Sequence, residues 1–391
     1  MPFGYWRNAA YGLIVDTLGM RSPWKAGGED PLTREIAQVL IRHHTVGAGL
    51  HCFEGGRLTK AYSFGYARLG KEPVPVKPDT VFRTASLAKS ITALLVFRLA
   101  QQGLLDIQED ISALLGFPAR NPHFSEVPIT LGMLMNHTSS IHDSEAYFSS
   151  MAHPVNVGQL LSREDTFLPA RPGEKFEYSN FAAGLIGCLL EKRFGMDLDA
   201  LARRELFDPL GAEASYRIET FPEERLSDSW RVWPKAHAFD APARRERVLR
   251  ETPTDPMTHY LKAAGNVYLT PEALARLALL AADGQGGLLS ESSRNTMRQT
   301  IPAWHTRHEA IDYGMGIFRL TDATLLNRPI YGHLGFAYGA VNSFFFDEEG
   351  NGFAMLTSGT SERRVGHLSA VNRALIPWLM PMDARHPRKN S

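Results

Sequence analysis

The sequence predicts an α+β fold: one antiparallel sheet flanked by helices, assembled from both ends of the chain, with a mostly helical lobe inserted between. Three observations carry this. Two apolar runs between Val46 and Ala67 flank Glu54-Gly55-Gly56 in a hairpin pattern. Apolar and aromatic runs return at 329–331, 340–346 and 352–357, around a turn at Glu348-Glu349-Gly350-Asn351-Gly352. Between these ends the apolar residues keep helical spacing.

Taken in order, residues 1–30 form an N-terminal extension that ends in the loop-like Gly27-Gly28-Glu29-Asp30-Pro31. Arg7 before the apolar stretch Ala9 to Val15 is a weak match to a secretory signal, because Asp16 cuts the stretch short and no small-residue cleavage site follows. From Ser86 onward, Leu87, Ile91, Leu94, Leu95 and Leu99 mark a buried helix, with Gly103 at its end. Phe181 to Phe194 is apolar nearly all round, as a helix inside a lobe would be. Segment 222–262 is charged and Pro-rich, with Trp230 and Trp233, and reads as a lid or a long loop. Helical spacing returns at 271–282 and 366–380. The resulting division is an α/β lobe from 31–95 plus 256–382, a helical lobe from 96–255 and a flexible basic tail from 383–391, with the two lobes meeting along a cleft.

Composition narrows the function. The 391 residues hold 42 Lys plus Arg against 42 Asp plus Glu, which lacks the basic footprint of a nucleic-acid binder. No apolar segment approaches the roughly 20 residues that span a bilayer. The two cysteines, Cys52 and Cys188, give neither a disulfide framework nor a metal signature and read as small buried residues. A protein without a metal or cofactor, acting in the cytoplasm on a small ligand, is the expectation. Gly65 to Lys71 satisfies part of a phosphate-binding loop, but Glu72 stands where Ser or Thr would hold magnesium. His305 and His308 lack a carboxylate at metalloprotease spacing.

The sharpest local pattern is Ser86-Leu87-Ala88-Lys89 at the head of the first helix. Three residues is nearly one turn, so Lys89 shares a face with Ser86 and its amine can approach the hydroxyl. A serine hydroxyl needs such a base to act as a nucleophile, and a helix start favours both an oxyanion and a neutral amine. Ser22-Pro23-Trp24-Lys25 has the same spacing, but no apolar helix follows to bury its lysine.

Two further patterns occur once each, Tyr178-Ser179-Asn180 after Pro172-Gly173 and His333-Leu334-Gly335 opening a strand. With Phe82 to Lys89, Ile129-Thr130-Leu131 and His137-Thr138-Ser139, this ordered set resembles the penicillin-recognising serine hydrolases over roughly residues 35–380. The nearest branch holds class C β-lactamases, D-alanyl-D-alanine peptidases, D-aminopeptidases and esterases. The resemblance implies a β-lactamase/transpeptidase-like fold and a two-step reaction through an acyl-enzyme, on a small ester, amide or D-residue peptide. Ser86 would be the nucleophile, with Lys89 and Tyr178 sharing the base and acid duty, the phenol lowered by nearby positive charge. Asn180 would hold Lys89 or the substrate amide. The N–H groups of Ser86 and Phe336 would form the oxyanion hole, His333 would line the substrate site, and Gly335 would let the strand approach the substrate. His137 and Thr138 read as architectural.

Two departures from the family pattern matter. Class C β-lactamases typically carry lysine where this chain has His333, and a histidine is mostly neutral at pH 7. The His-x-Gly form resembles some D-peptidases, D-aminopeptidases and esterases. Ser140 replaces the glycine usual after His-Thr-Ser, which bears on the turn there. A β-lactamase or penicillin-binding D,D-peptidase, and a non-catalytic binding or sensor homologue, are the competing readings.

Overall fold

The computed structural model describes residues 2–27, 30–251 and 255–380. Its centre is a nine-stranded antiparallel sheet. The order is Val74–Pro75, Arg57–Arg68, Gly47–Glu54, Gly352–Gly359, Ala340–Phe346, Ile330–Ala337, Phe318–Asp322, Glu309–Tyr313 and Ile301–His305. The strand nearest the N-terminus therefore lies against the last strand of the sheet in sequence, with His51 opposite Ala354. Both ends of the chain build one sheet, as the sequence predicts.

The two tight hairpins follow from turn chemistry. Gly55 and Gly56 have φ of 54° and 76°, and Tyr338 and Gly339 have 55° and 86°. Positive φ at both central residues is the turn whose twist matches that of paired strands. Gly352–Gly359 and Ala340–Phe346 are buried throughout, because both faces of the sheet are covered. Successive side chains alternate between the two faces. Phe345, Phe353 and Met355 pack with Ile36, Leu40 and Leu375 of helices Pro31–Arg42 and Ala370–Leu379. Phe344, Ala354 and Leu356 pack with Leu277 of helix Pro271–Asp283 and the helical lobe.

Helix Leu87–Gln101 is buried on nearly every side and ends before Gly103, whose φ is 74°. Ser86 is its N-cap, yet its side chain makes no capping bond, which leaves the hydroxyl available. Helix Asn180–Phe194 is capped by Ser179, which accepts from the N–H of Ala182. It is buried from Phe181 to Glu191 and ends at Gly195. Gly184 permits this helix to touch the neighbouring backbone: a Cβ there would stand 1.6 Å from the carbonyl oxygen of Tyr260.

Several expectations are corrected. Segment 222–262 is not a plain loop. Ser229–Arg231 pairs with Ala236–Phe239, and helix Ala241–Arg250 follows. The buried Asp228 holds this segment by accepting from the N–H of Ala241 and facing His237 at 2.9 Å. His333 does not open a strand but is the fourth residue of Ile330–Ala337. Three strands between 301 and 322 extend the sheet beyond the ones read from the sequence. In the N-terminal extension Pro2–Leu18 is helical. Gly28 and Glu29 of the predicted loop, and the predicted basic tail from Arg385 to Lys389, lie outside the described residues. Ser22 to Lys25 is not helical, and Trp24 instead donates to the carbonyl of Thr45 and stacks on Phe64. Cys52 and Cys188 are buried and free. Among the described residues no helix is long and apolar enough to cross a membrane.

Gly184→Ala is expected to push helix Asn180–Phe194 off the Tyr260 backbone and to lower unfolding free energy by about 1–3 kcal/mol in a urea titration. An unchanged midpoint would show that this contact is looser than described.

Candidate active site

Strand Phe82–Arg83 delivers the chain to Ser86 through a tightly held corner. The N–H and hydroxyl of Thr84 both donate to the carbonyl of Val267, at 2.9 and 3.0 Å. The Asn342 side chain donates to the carbonyl of Arg83 at 2.9 Å. Ala85, buried, takes φ of 54°, a conformation that side-chain-bearing residues adopt only where the surroundings impose it. The next residue is Ser86, at the start of the buried helix.

Lys89, one turn on, is only 5% exposed, and its amine has three partners. Nζ lies 3.1 Å from Ser86 Oγ, 2.8 Å from Asn180 Oδ1 and 2.8 Å from the carbonyl oxygen of Ala264. Burial disfavours the ammonium and draws its pKa down to about 7, with nearby Asp143 opposing the shift and Arg83 adding to it. The two carbonyl-type oxygens can only accept, so they claim two N–H bonds. The remaining position on nitrogen faces Ser86, and in the neutral amine that position is a lone pair.

Tyr178 approaches from the other side. Its ring centre is 5.1 Å from Nζ, and Ser86 is the neighbour that acts most strongly to lower the pKa of its phenol. The expectation that nearby positive charge would lower this phenol is reversed. Burial raises its pKa, and the opposing effects of the Ser86 hydrogen bond and Arg364 are smaller. The phenol therefore keeps its proton at neutral pH, whereas the amine can lose one.

Asn180, the first residue of its helix, donates through Nδ2 to Asp143 Oδ2 at 2.7 Å. His137, expected to be architectural, is so placed: Nδ1 accepts from the N–H of Ser179 at 3.2 Å, and its ring lies 4.4 Å from that of Tyr178. Thr138 is buried and bonds its hydroxyl to Asn136 Oδ1. Ser140 adopts φ of 64°, the conformation a glycine would take without strain, and its hydroxyl accepts from Asn121 Nδ2 at 2.9 Å.

Gly335 makes a close approach, to the backbone that carries Ser86. A Cβ there would meet the carbonyl oxygen of Thr84 at 2.4 Å. The residue after it, Phe336, has a free edge. The two-residue turn at Tyr338-Gly339 makes Ala337 and Ala340 a hydrogen-bonded pair, and such pairs alternate along antiparallel strands. Phe336 opposite Val341 is thus a non-bonded pair, and its N–H points away from that strand. On the other side the neighbouring strand pairs only as far as Gly332. The Phe336 N–H and the Ser86 N–H at the helix start are the two donors available for an oxyanion.

His333 is 2% exposed and carries no charge. Its Nδ1 donates to the carbonyl of Leu334 at 2.7 Å, so Nε2 is the acceptor, taking the Tyr313 hydroxyl at 2.5 Å. Burial and then Lys89 lower its pKa to about 3. It therefore braces strand Glu309–Tyr313 against strand Ile330–Ala337 and supplies no cation. The cation beside Tyr178 at the surface is Arg364, which lies 4.4 Å over the Phe336 ring. Sequence reasoning missed Asp143, Ala264, Tyr313 and Arg364. Each comes from a segment distant from Ser86 with no local motif. Among the described residues no cluster of His, Cys, Asp or Glu is arranged to hold a metal.

A family model described as beta-lactamase matches residues 32–376. The chain is 30% identical over 183 residues to penicillin-binding protein 4* of Bacillus subtilis, covering 45% of this chain and 39% of that one. It is also 30% identical over 205 residues to N-acetylmuramyl-L-alanine amidase of the same organism, covering 45% and 44%. The chain thus matches less than half the length of these relatives. Solved structures share the fold. EstCE1, a hydrolase with promiscuous acyltransferase activity, superposes with a TM-score of 0.72 at 20% identity, covering 89% of this chain and 98% of that one. D-amino acid amidase from Ochrobactrum anthropi SV3 does so with 0.69 at 23%, covering 90% and 98%.

The neutral His333 has a consequence for acid stability. Its folded pKa is about 3 against 6.5 for the free side chain, so between those values the unfolded chain binds a proton that the native state refuses. Stability is full above about pH 6.5 and falls as pH drops, by up to about 1.4 kcal/mol per unit for this one group. His333→Gln should flatten the dependence of unfolding free energy on pH between 6.5 and 4.5, read by urea titration. An unchanged slope would mean that His333 is protonated in the native state.

Proposed function

The chain belongs to the beta-lactamase family, and from that membership we propose that it is a serine hydrolase that cleaves a small ester or amide through an acyl-enzyme on Ser86. The observation that carries the reading is the buried Lys89 amine, aimed at Ser86 Oγ from 3.1 Å with its other hydrogen-bonding positions taken by Asn180 and Ala264.

The neutral amine accepts the Ser86 proton as Oγ attacks the carbonyl carbon. Negative charge on the carbonyl oxygen is met by the N–H groups of Ser86 and Phe336. Tyr178, neutral and beside Ser86, gives its proton to the departing alcohol or amine and is reprotonated by Lys89, which becomes the neutral amine again. Water then attacks the acyl carbon with its proton passing along the same groups in reverse, and Ser86 is regenerated. His333, being uncharged, suits a neutral ester or amide, in keeping with the amidase and the hydrolase whose folds this chain shares.

A substrate bearing a carboxylate, as a β-lactam or a peptide C-terminus does, has one observation in its favour. Arg364 stands at the surface over Phe336 and acts electrostatically on Tyr178. Turnover of a chromogenic cephalosporin that falls at least tenfold in Arg364→Ala, with ester turnover unaffected, would support this second reading.

A nitrophenyl ester of a short acyl chain should give a burst of nitrophenol and a Ser86 adduct by intact mass, both missing in Ser86→Ala. Turnover that survives the substitution would refute the assignment, and a wild type inert to esters, D-amino amides and β-lactams would favour a binding homologue. The pH dependence has a definite sign. Below about 7 Lys89 is protonated and cannot accept the Ser86 proton, so kcat/KM should fall about tenfold per pH unit on the acid side and level off above it.

A further inference from the structure

We propose that Asp143 is a positioning residue that locks the Asn180 amide with its oxygen toward Lys89 and, through that contact, sets when the lysine can act as base. The proposal deepens the hydrolase reading and rests on it for its kinetic consequence. Its structural content stands on the hydrogen bonds.

A carboxamide has two faces of similar shape, and a half-turn exchanges acceptor for donor. Asp143 removes the choice. Its Oδ2 takes the Asn180 Nδ2 group at 2.7 Å, and a carboxylate oxygen can only accept, so Oδ1 must face Lys89, where it lies 2.8 Å from Nζ. The carboxylate cannot swing away. Its Oδ1 is held by the Ser179 hydroxyl at 3.1 Å and the Phe181 N–H at 2.9 Å, in the first turn of helix Asn180–Phe194. Without it, the flipped amide would point N–H bonds at the lysine amine and free Nζ from one of its three partners.

The charges around Lys89 come from every element packed on it. Arg83, on the strand leading to Ser86, opposes the ammonium, and His333 and His137 are uncharged neighbours from the sheet and from the loop before Tyr178. Tyr178 is a neutral phenol. Asp143 is the group whose charge supports the ammonium against burial. Losing it therefore makes the lysine a weaker base as well as a looser one.

The test compares Asp143→Asn, Asp143→Glu and Ser179→Ala with the wild type. In Asp143→Asn the acid limb of kcat/KM should move down by about one pH unit or more, and the plateau should drop at least tenfold. Asp143→Glu, which keeps the charge, should return the limb toward the wild-type position. Ser179→Ala loses a helix cap and one of the two bonds to Asp143 Oδ1 while keeping the carboxylate charge, so its limb should move less than that of Asp143→Asn even as its melting temperature falls. The 13Cε resonance of Lys89, assigned by its loss in Lys89→Ala, reports the same midpoint without turnover. An Asp143→Asn protein whose limb and Lys89 resonance titrate as in the wild type would overturn the proposal. If Asp143→Asn does not fold, Asp143→Ser carries the same two readouts. If no substrate is turned over, the hydrolase reading fails while the Lys89 titration still decides the role of Asp143.

Discussion

A primary amine buried beside a serine hydroxyl is the constraint from which the rest of this structure follows. Removing an ammonium from water is costly by several kcal/mol, and a protein meets that cost either by pairing the charge or by letting the proton go. Lys89 does part of both. Helix Leu87–Gln101 is surrounded by apolar side chains, which depresses the ammonium, while two oxygens held on separate segments keep the amine hydrogen-bonded in either state. The outcome is a group poised near neutrality, able to take and return a proton at working pH. The same low polarity holds the Tyr178 proton in place, so one environment separates base from acid.

The sheet supplies the second half of the site through backbone geometry. Strand Ile330–Ala337 lies against the corner before Ser86 only because Gly335 has no side chain to strike the Thr84 carbonyl. That approach brings the unpaired N–H of Phe336 next to the helix start. The strained Ala85 and the Asn342 bridge to Arg83 fix the corner from the other side. The oxyanion donors are thus positioned by sheet register and by a turn, two features that resist small side-chain rearrangements.

What was legible in the sequence divides along physical lines. Ser86 and Lys89 lie one helical turn apart, so their proximity is a local matter and periodicity reveals it. The Gly55-Gly56 hairpin and the central strands were legible because their apolar runs and turn glycines are uninterrupted. Strands Glu309–Tyr313 and Phe318–Asp322 were not. Glu309 and Asp322 occupy inward-facing positions, where pattern reading expects apolar residues, and both are neutralised by Arg373 from the C-terminal helix. The 222–262 segment hid its structure similarly, since Asp228 does work that an apolar side chain would otherwise do. Asp143 and Ala264 reach Lys89 from segments far away in sequence, and their contribution is a single oxygen each, which leaves no compositional trace.

Those missed strands bear on the chemistry, because Glu309–Tyr313 ends in the hydroxyl that fills the His333 Nε2 lone pair. With one ring nitrogen donating to a carbonyl and the other accepting from a phenol, a proton added to His333 would force the Tyr313 hydroxyl to turn from donor to acceptor and would sit near Lys89 in a dry environment. Either step is unfavourable, so the ring stays neutral. A permanent cation at that position would push the Lys89 pKa further down and weaken it as a base. The neutral histidine leaves that balance to Asp143 and Arg83, and it leaves Arg364 as the exposed cation that acts on Tyr178. The charges are thus divided: those acting on Lys89 come from Asp143 and Arg83, while Arg364, exposed at the surface, acts on Tyr178.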